Sequence, residues 1–302
     1  MGYRGGPQGS MKQPRSAIHP YAVLTAVATF ILLIAGGLVT STDSGLAVPD
    51  WPLSYGTWFP PMVGGILYEH GHRMIAACVG LLILTLAVWL WRVEPRRWVR
   101  RLGYAALAAV ILQGLLGGLT VLLLLPPQVS IAHACLGQTV FCLVVCLAQA
   151  TASSWVDHPA RVADHHWPSV RSLSLSAALL AGVQLFLGAV LRHTGRGLPL
   201  HLLGAALLLL TTGWVMIRLH RASEMPSGLV EASRRLGALV VVQLGLGMTA
   251  LGHGHIGVVT AHVAVGALIL AQSVVLAWQV WRGTNPKPSA ARPTVASQQA
   301  IS

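Results

Sequence analysis

Long apolar runs alternate with short polar segments over most of the chain. Eight of these runs approach or exceed the roughly 20 apolar residues that cross the hydrocarbon core of a bilayer. Backbone groups in lipid must be hydrogen-bonded within their own segment, so each run is predicted to form a transmembrane helix. The eight predicted spans are 20–41, 66–91, 102–125, 129–153, 172–191, 198–219, 234–252 and 256–281.

The composition and the placement of charge agree with this prediction. Only 9% of the 302 residues are charged, whereas soluble proteins carry about 25%. The net charge of +12 would suit nucleic acid, but all of the 20 lysines and arginines except Arg73, Arg192 and Arg196 fall on one side of eight spans. Basic residues collect on the cytoplasmic side. We therefore expect a multi-pass protein of the cell (inner or plasma) membrane, with both termini cytoplasmic and no nucleic-acid partner.

A repeat relates the odd-numbered spans to one another, and a second relates the even-numbered spans. Each odd span has small residues near its outer end, at spacings that let helices approach closely, in AGGLVT (35–40), QGLLGGLT (113–120), QLFLGAVL (184–191) and QLGLGMTA (243–250). Each even span carries a histidine in its first turns, at His72, His133, His201 and His262. The repeating unit is therefore a helical hairpin of one odd and one even span.

Two such hairpins make a four-helix bundle. The predicted fold is an all-α integral membrane protein whose eight transmembrane helices form two pseudo-symmetric four-helix bundles. The predicted organisation is a cytoplasmic tail (1–18), an N-terminal bundle (19–153), a cytoplasmic linker (154–171), a C-terminal bundle (172–283) and a second cytoplasmic tail (284–302).

Histidines at equivalent places in all four hairpins indicate iron. A single membrane histidine is often a packing residue, but ionisable groups in lipid are costly and tend to mark function. Neutral imidazole is a ligand of haem iron and suits facing helices of a bundle. A zinc site would need three or four ligands. The repeat pairs His72 with His133 and His201 with His262, which predicts two haem sites near the outer surface.

A carboxylate distinguishes the first pair from the second. Glu69 lies three residues before His72, so both project from one face of the helix. Its position beside only one haem suggests a catalytic role. The alternative is a plain ion pair between Glu69 and Arg73 at i, i+4. His70 points elsewhere on the helix and is taken as interfacial, with at most a supporting role. The remaining outer histidines are interpreted as solvated loop residues, with contact to a haem edge as the alternative, namely His193, His253 and His255.

Two segments together resemble the haem A synthase family: DSGLAVPDWPLSYG (43–56) and EHGHR (69–73), and with the three later histidines the resemblance covers about 20–281. It implies oxidation of a methyl group of haem O to the formyl group of haem A by successive hydroxylation, for cytochrome oxidase assembly. It further implies that Glu69 is the essential carboxylate, that His72 and His133 are axial ligands of the substrate haem O, and that His201 and His262 are axial ligands of a haem b cofactor.

The resemblance also implies partners, and the residues leave alternatives open. The implied partners are the prenyltransferase that makes haem O, terminal oxidase assembly factors and an electron donor that the sequence does not identify. One alternative is a di-haem b membrane cytochrome for quinol-linked electron transfer, and another is a haem-binding transporter or assembly factor. The proline-rich loop 43–64 is expected to be rigid, with Trp51 and Trp58 over a macrocycle edge or simply interfacial. Some family members have paired cysteines in outer loops, whereas Ser54 and its neighbours offer no such pair.

Overall fold

The computed structural model describes residues 17–156, 162–164, 166–222 and 225–285. The predicted tails lie outside these ranges except for 17–18 and 284–285. The predicted linker is described except for 157–161 and 165.

Eight long helices and one single-turn helix make up the described chain, with one short pair of strands. The helices are α1 (Ile18–Ser41), α2 (Gly64–Val93), α3 (Arg97–Leu122), α4 (Pro127–Thr151), α5 (Ser153–Val156), α6 (Val170–Thr194), α7 (Leu198–Arg221), α8 (Ser227–His253) and α9 (Ile256–Gly283). Strand β1 (Val162–Ala163) pairs in parallel with β2 (Thr284–Asn285). All but α5 are long and apolar enough to cross a membrane. The prediction of an all-α integral membrane protein with eight spans is confirmed.

The helix ends differ from the predicted spans where polar residues continue a helix or where prolines end one. Helix α3 begins at Arg97 rather than 102, because a helix needs apolar side chains only where it contacts lipid. Residues 123–125 were predicted to be helical and are not. Leu124 and Leu125 adopt positive φ angles of 60° and 58°, directly before Pro126 and Pro127, and a residue that precedes proline is disfavoured in the α conformation.

Each set of four long helices closes on itself. Helices α1 to α4 pack in sequence and α4 returns to α1, while α6 to α9 pack in sequence and α9 returns to α6. The two sets meet through α1 against α9, and through α4 against α6 and α9. This arrangement has the helix neighbours that two four-helix bundles require. Their pseudo-symmetry and their division into separate domains stay predictions.

The large buried side chains concentrate toward one end of the helices. We call the end at which α1 begins and α9 ends the inner end, and the opposite end the outer end. In the first bundle Ile83, Leu86 and Leu90 of α2 are buried, and in the second Val215 and Leu219 of α7; all lie toward the inner end. The predicted site histidines lie toward the outer end, where glycines and polar residues replace this packing.

Polar contacts at the inner end fasten the linker to the second bundle. The Asp164 carboxylate accepts a hydrogen bond from the Val170 backbone N–H (2.5 Å) and pairs with Arg218 (3.2 Å). Arg218 also donates to the Pro168 carbonyl at 2.5 Å. Both charged side chains are mostly buried, and removal of one partner from a buried pair leaves the other charge uncompensated.

We expect Asp164→Ala to lower the free energy of unfolding by about 2–4 kcal/mol, because it leaves Arg218 and the Val170 N–H without their acceptor. The measurement is thermal unfolding of the purified protein in detergent. Glu231→Ala is the matched control, since Glu231 is exposed on α8 at the same end. Equal melting temperatures for the two variants would contradict this role of Asp164.

Candidate functional site

The four histidines of the repeat share one packing arrangement. Each lies in the first turns of its helix, and its ring rests against a glycine of the preceding long helix. A Cβ atom built on that glycine would lie 3.1 Å from the histidine Cε1 in all four cases, at Gly36, Gly117, Gly188 and Gly247. Such a distance is tighter than ordinary van der Waals contact, so a larger residue would push the ring aside. These glycines therefore set where the imidazoles lie.

A glutamine one turn before the glycine contacts the histidine in three of the four hairpins. The Gln113 side-chain amide donates to the His133 carbonyl at 3.0 Å, and that of Gln184 donates to the His201 carbonyl at 2.9 Å. Gln243 Nε2 lies 3.1 Å from His262 Nε2. The first hairpin has Leu32 at the corresponding position. The histidine of the first hairpin is thus held differently from the other three.

The two histidines of each bundle come from helices that lie diagonally across it. Helix α7 packs on α6 and α8, and α9 packs on the same two helices. The ring centres of His201 and His262 are 6.3 Å apart. An imidazole–metal bond measures about 2 Å, so two imidazoles on opposite sides of one metal ion have ring centres about 6 Å apart. The structure brings these two histidines together at a distance that suits one shared iron.

The first pair has the corresponding arrangement on α2 and α4. Both helices pack on α1 and α3, with the His72 ring against Gly36 of α1 and the His133 ring against Gly117 of α3. Nδ1 of each ring is buried without a hydrogen-bond partner, as is Nδ1 of His262. Among the residues described, no three His, Cys, Asp or Glu side chains cluster around one point. Pairs of imidazoles that face each other across a bundle fit the iron of a haem.

Glu69 is buried at the outer end of the first bundle, with 4% of its surface exposed. Its Oε2 accepts a hydrogen bond from the Val48 backbone N–H (2.8 Å), and its Oε1 pairs with Arg73 (2.5 Å). The ion pair predicted as the alternative interpretation is therefore present. Arg73 also donates to the carbonyls of Asp50 (2.7 Å) and Leu53 (2.9 Å). The pair holds the carboxylate and ties α2 to the loop before it.

His70 and His193 differ from their predicted surroundings. His70 was predicted to be interfacial; instead it is buried, with Nδ1 2.8 Å from Ser54 Oγ, and so it too fastens the loop. His193 was assigned to a loop, but it lies in the last turn of α6. The apolar pattern ended too early to include this turn. His255 is exposed before α9, and the side chain of His253 lies outside the described residues.

The loop 42–63 covers the outer end of the first bundle and is held by its own polar contacts. The Asp50 carboxylate accepts hydrogen bonds from the backbone N–H groups of Gly56 (2.8 Å) and Tyr55 (2.6 Å). The bond from Gly56 is the main cause that lowers the pKa of Asp50. The Tyr55 hydroxyl donates a hydrogen bond to the Ala47 carbonyl at 2.7 Å. These contacts agree with the expected rigidity of the loop.

The two tryptophans of this loop have different environments. A Cβ atom built on Gly118 would lie 2.7 Å from Trp51 Cδ2, so the indole packs on α3 directly beside Gly117, the glycine that contacts His133. Trp58 is 67% exposed. Trp51 therefore lies near the first histidine pair, and Trp58 faces outward.

Ser130 is a further candidate residue, which the sequence alone did not single out. It lies three residues before His133, the same offset that separates Glu69 from His72. Its side chain is buried, and its hydroxyl has no hydrogen-bond partner. The repeated offset was the signal that could have found it. Ser130 and Glu69 thus place one polar group from each of two facing helices at the first pair.

Comparison with known proteins gives the family. The model of the COX15-CtaA family, described as cytochrome oxidase assembly protein, matches residues 19–200. A haem A synthase of Symbiobacterium thermophilum is 30% identical over 70% of this chain and 80% of its own length. Shorter matches to haem A synthases of Alkalihalophilus pseudofirmus and Bacillus licheniformis are 39% and 35% identical, and each covers about a third of both chains. The chain belongs to the haem A synthase family.

Proposed function

We propose that this protein is a haem A synthase, an oxidoreductase that converts a methyl group of haem O to the formyl group of haem A by successive hydroxylation in the membrane. Family membership supports this activity. The observation that carries it is the placement of Glu69. It is buried three residues before His72, whereas the corresponding positions before His201 and His262 hold the apolar residues Leu198 and Val259.

The histidine pairs then have different tasks. We assign His72 and His133 to the substrate haem O, whose iron they would bind, and His201 and His262 to a haem b cofactor, whose iron they would hold. The ring separation of 6.3 Å in the second pair supports the latter assignment. When bound there, haem b supplies one-electron transfer. The electron donor that would reduce it is a partner still to be identified.

The oxidation of a methyl to a formyl group releases protons as well as electrons, so the first site needs a proton acceptor. Glu69 is the acidic side chain available beside the pair. Arg73 holds one carboxylate oxygen and the Val48 N–H the other, which fixes the carboxylate in place. Trp51 packs on α3 next to this pair, in the loop that Arg73 holds in place. Ser130 adds a hydroxyl that can orient the substrate or pass a proton.

The cytochrome alternative explains less of this arrangement. A di-haem b membrane cytochrome would use the four histidines equally well. It gives no reason for a buried carboxylate three residues before the histidine of one pair, where the second pair has Leu198 and Val259. Nor does it explain a loop tied to that carboxylate through Arg73. The haem-binding transporter has the same weakness. Haem A synthase accounts for both features.

The orientation in the membrane and the partners of the protein follow from its topology and from the proposed reaction. The charge distribution supports cytoplasmic termini in the cell membrane, with both haem sites in the outer half. The haem O substrate must come from a prenyltransferase that makes it, and the product serves the assembly of a terminal oxidase. We propose contacts with both on these grounds.

We expect Glu69→Gln to retain bound haem and to stop haem A formation, because the amide keeps a hydrogen-bond acceptor but does not take up a proton at pH 7. The measurement is haem A content of cells that supply haem O. Glu231→Gln is the control, since it alters an exposed carboxylate away from the site. Unreduced haem A formation in Glu69→Gln would end the catalytic role of this residue.

We expect His201→Ala and His262→Ala each to remove the low-spin haem b absorbance of the purified protein, because each removes one axial ligand. His220→Ala serves as control, since His220 is exposed at the inner end. A wild-type optical spectrum in either site variant would show that haem b binds elsewhere.

We expect Gly188→Val to reduce haem b occupancy at least tenfold, because its side chain would occupy the space of the His201 ring. Gly182→Val is the matched control: it lies on the same helix, and no atom lies within 4 Å of an added Cβ. The measurement is the ratio of haem b absorbance to protein. Equal occupancy in the two variants would contradict the role assigned to the glycines.

A further inference from the structure

A cluster of arginines at the inner end of α2 and α3 lies far from the histidine sites. A groove there is lined by Trp91 from the last turn of α2 and by four residues from the first turns of α3, namely Arg97, Arg100, Arg101 and Tyr104. The groove opens on the surface at the boundary where the spans leave the membrane. The proposed function uses none of these residues.

The charge in this groove is not compensated by the described parts of the chain. The neighbouring Arg96 pairs with Glu94 at 2.7 Å. By contrast, no carboxylate of the described residues forms an ion pair with Arg97, Arg100 or Arg101. Three guanidinium groups within five residues create a strong positive potential at one point. Guanidinium matches the geometry of phosphate oxygens with paired hydrogen bonds.

Apolar surface continues from the groove toward the middle of the membrane. On α2, exposed Leu84 and Val88 lie on the same face as Trp91, at helical spacing. On α3, exposed Tyr104 is followed by Ile111 on its face. Helices α2 and α3 are packed neighbours. The exposed apolar residues of these two neighbouring helices therefore lead to Trp91 on α2 and to Tyr104 on α3, which both line the groove.

This combination fits one kind of ligand. We infer that the groove binds an anionic phospholipid, with the phosphate headgroup on the three arginines and the acyl chains along the exposed apolar residues of the two helices. Trp91 is 56% exposed and Tyr104 is 45% exposed, and such aromatic rings favour the level of lipid headgroups. Basic pockets at the membrane surface attract anionic headgroups. A free phosphate would use the arginines and leave the aromatic rings and the apolar residues without a role.

The test is native mass spectrometry of the purified protein titrated with dioleoyl phosphatidylglycerol, and separately with dioleoyl phosphatidylcholine. We expect tight binding of the first lipid. Replacement of Arg97, Arg100 and Arg101 by Gln should weaken it about a hundredfold, since each basic residue near the surface contributes about a factor of five. Phosphatidylcholine should bind weakly to wild type and variant alike.

A matched variant separates the groove from charge in general. Replacement of Arg221, Arg234 and Arg235 by Gln removes three exposed arginines from the same end of the molecule and should leave phosphatidylglycerol binding unchanged. Haem b absorbance reports whether each variant is folded. If the triple variant does not fold, single Arg→Gln variants replace it, and each is expected to lose several-fold affinity for the lipid. Wild-type lipid affinity in a folded groove variant would overturn the inference. So would displacement of the lipid by millimolar inorganic phosphate.

Discussion

The contact between an imidazole ring and a glycine, made once in each helical hairpin, is the interaction on which the rest of the structure depends. It lets a polar ring sit between two apolar helices without forcing them apart. The rings of diagonal helices can then approach each other, as His201 and His262 do at 6.3 Å between ring centres. Two such pairs are the basis of the two haem sites that we propose. An unpaired imidazole in lipid would be costly, and a metal ligand bond offsets that cost.

The features that we assign to catalysis lie in the hairpin that departs from the repeat. Three hairpins hold their histidine with a glutamine, and the first has Leu32 instead. The same hairpin carries Glu69 and Arg73, which hold the outer loop through backbone groups such as the Asp50 carbonyl. A bundle that only carries electrons needs none of this. The irregular features therefore collect at the pair assigned to the substrate.

Much of this was predictable because the membrane restricts the possible folds. Apolar length predicts eight helices, and the repeat singles out the four histidines and the small residues of the odd spans. The contact of each histidine ring with one of those glycines is visible only in the structure. The loop contacts were not predictable in the same way. Nothing in the spacing of Ser54 and His70, or of Val48 and Glu69, shows that they meet. Such pairs depend on how a proline-rich loop folds back over a helix end. Ser130 was missed for a different reason, since a lone serine in an apolar run gives no signal until the offset from its histidine is compared with that of Glu69.

The most direct measurement is extraction and chromatography of the pigments from purified wild-type protein made in cells that supply haem O. Two histidine pairs with different tasks predict haem b together with haem O or haem A, in similar amounts. Haem b alone, at two per protein, would contradict the division of tasks between the bundles and would favour a di-haem cytochrome.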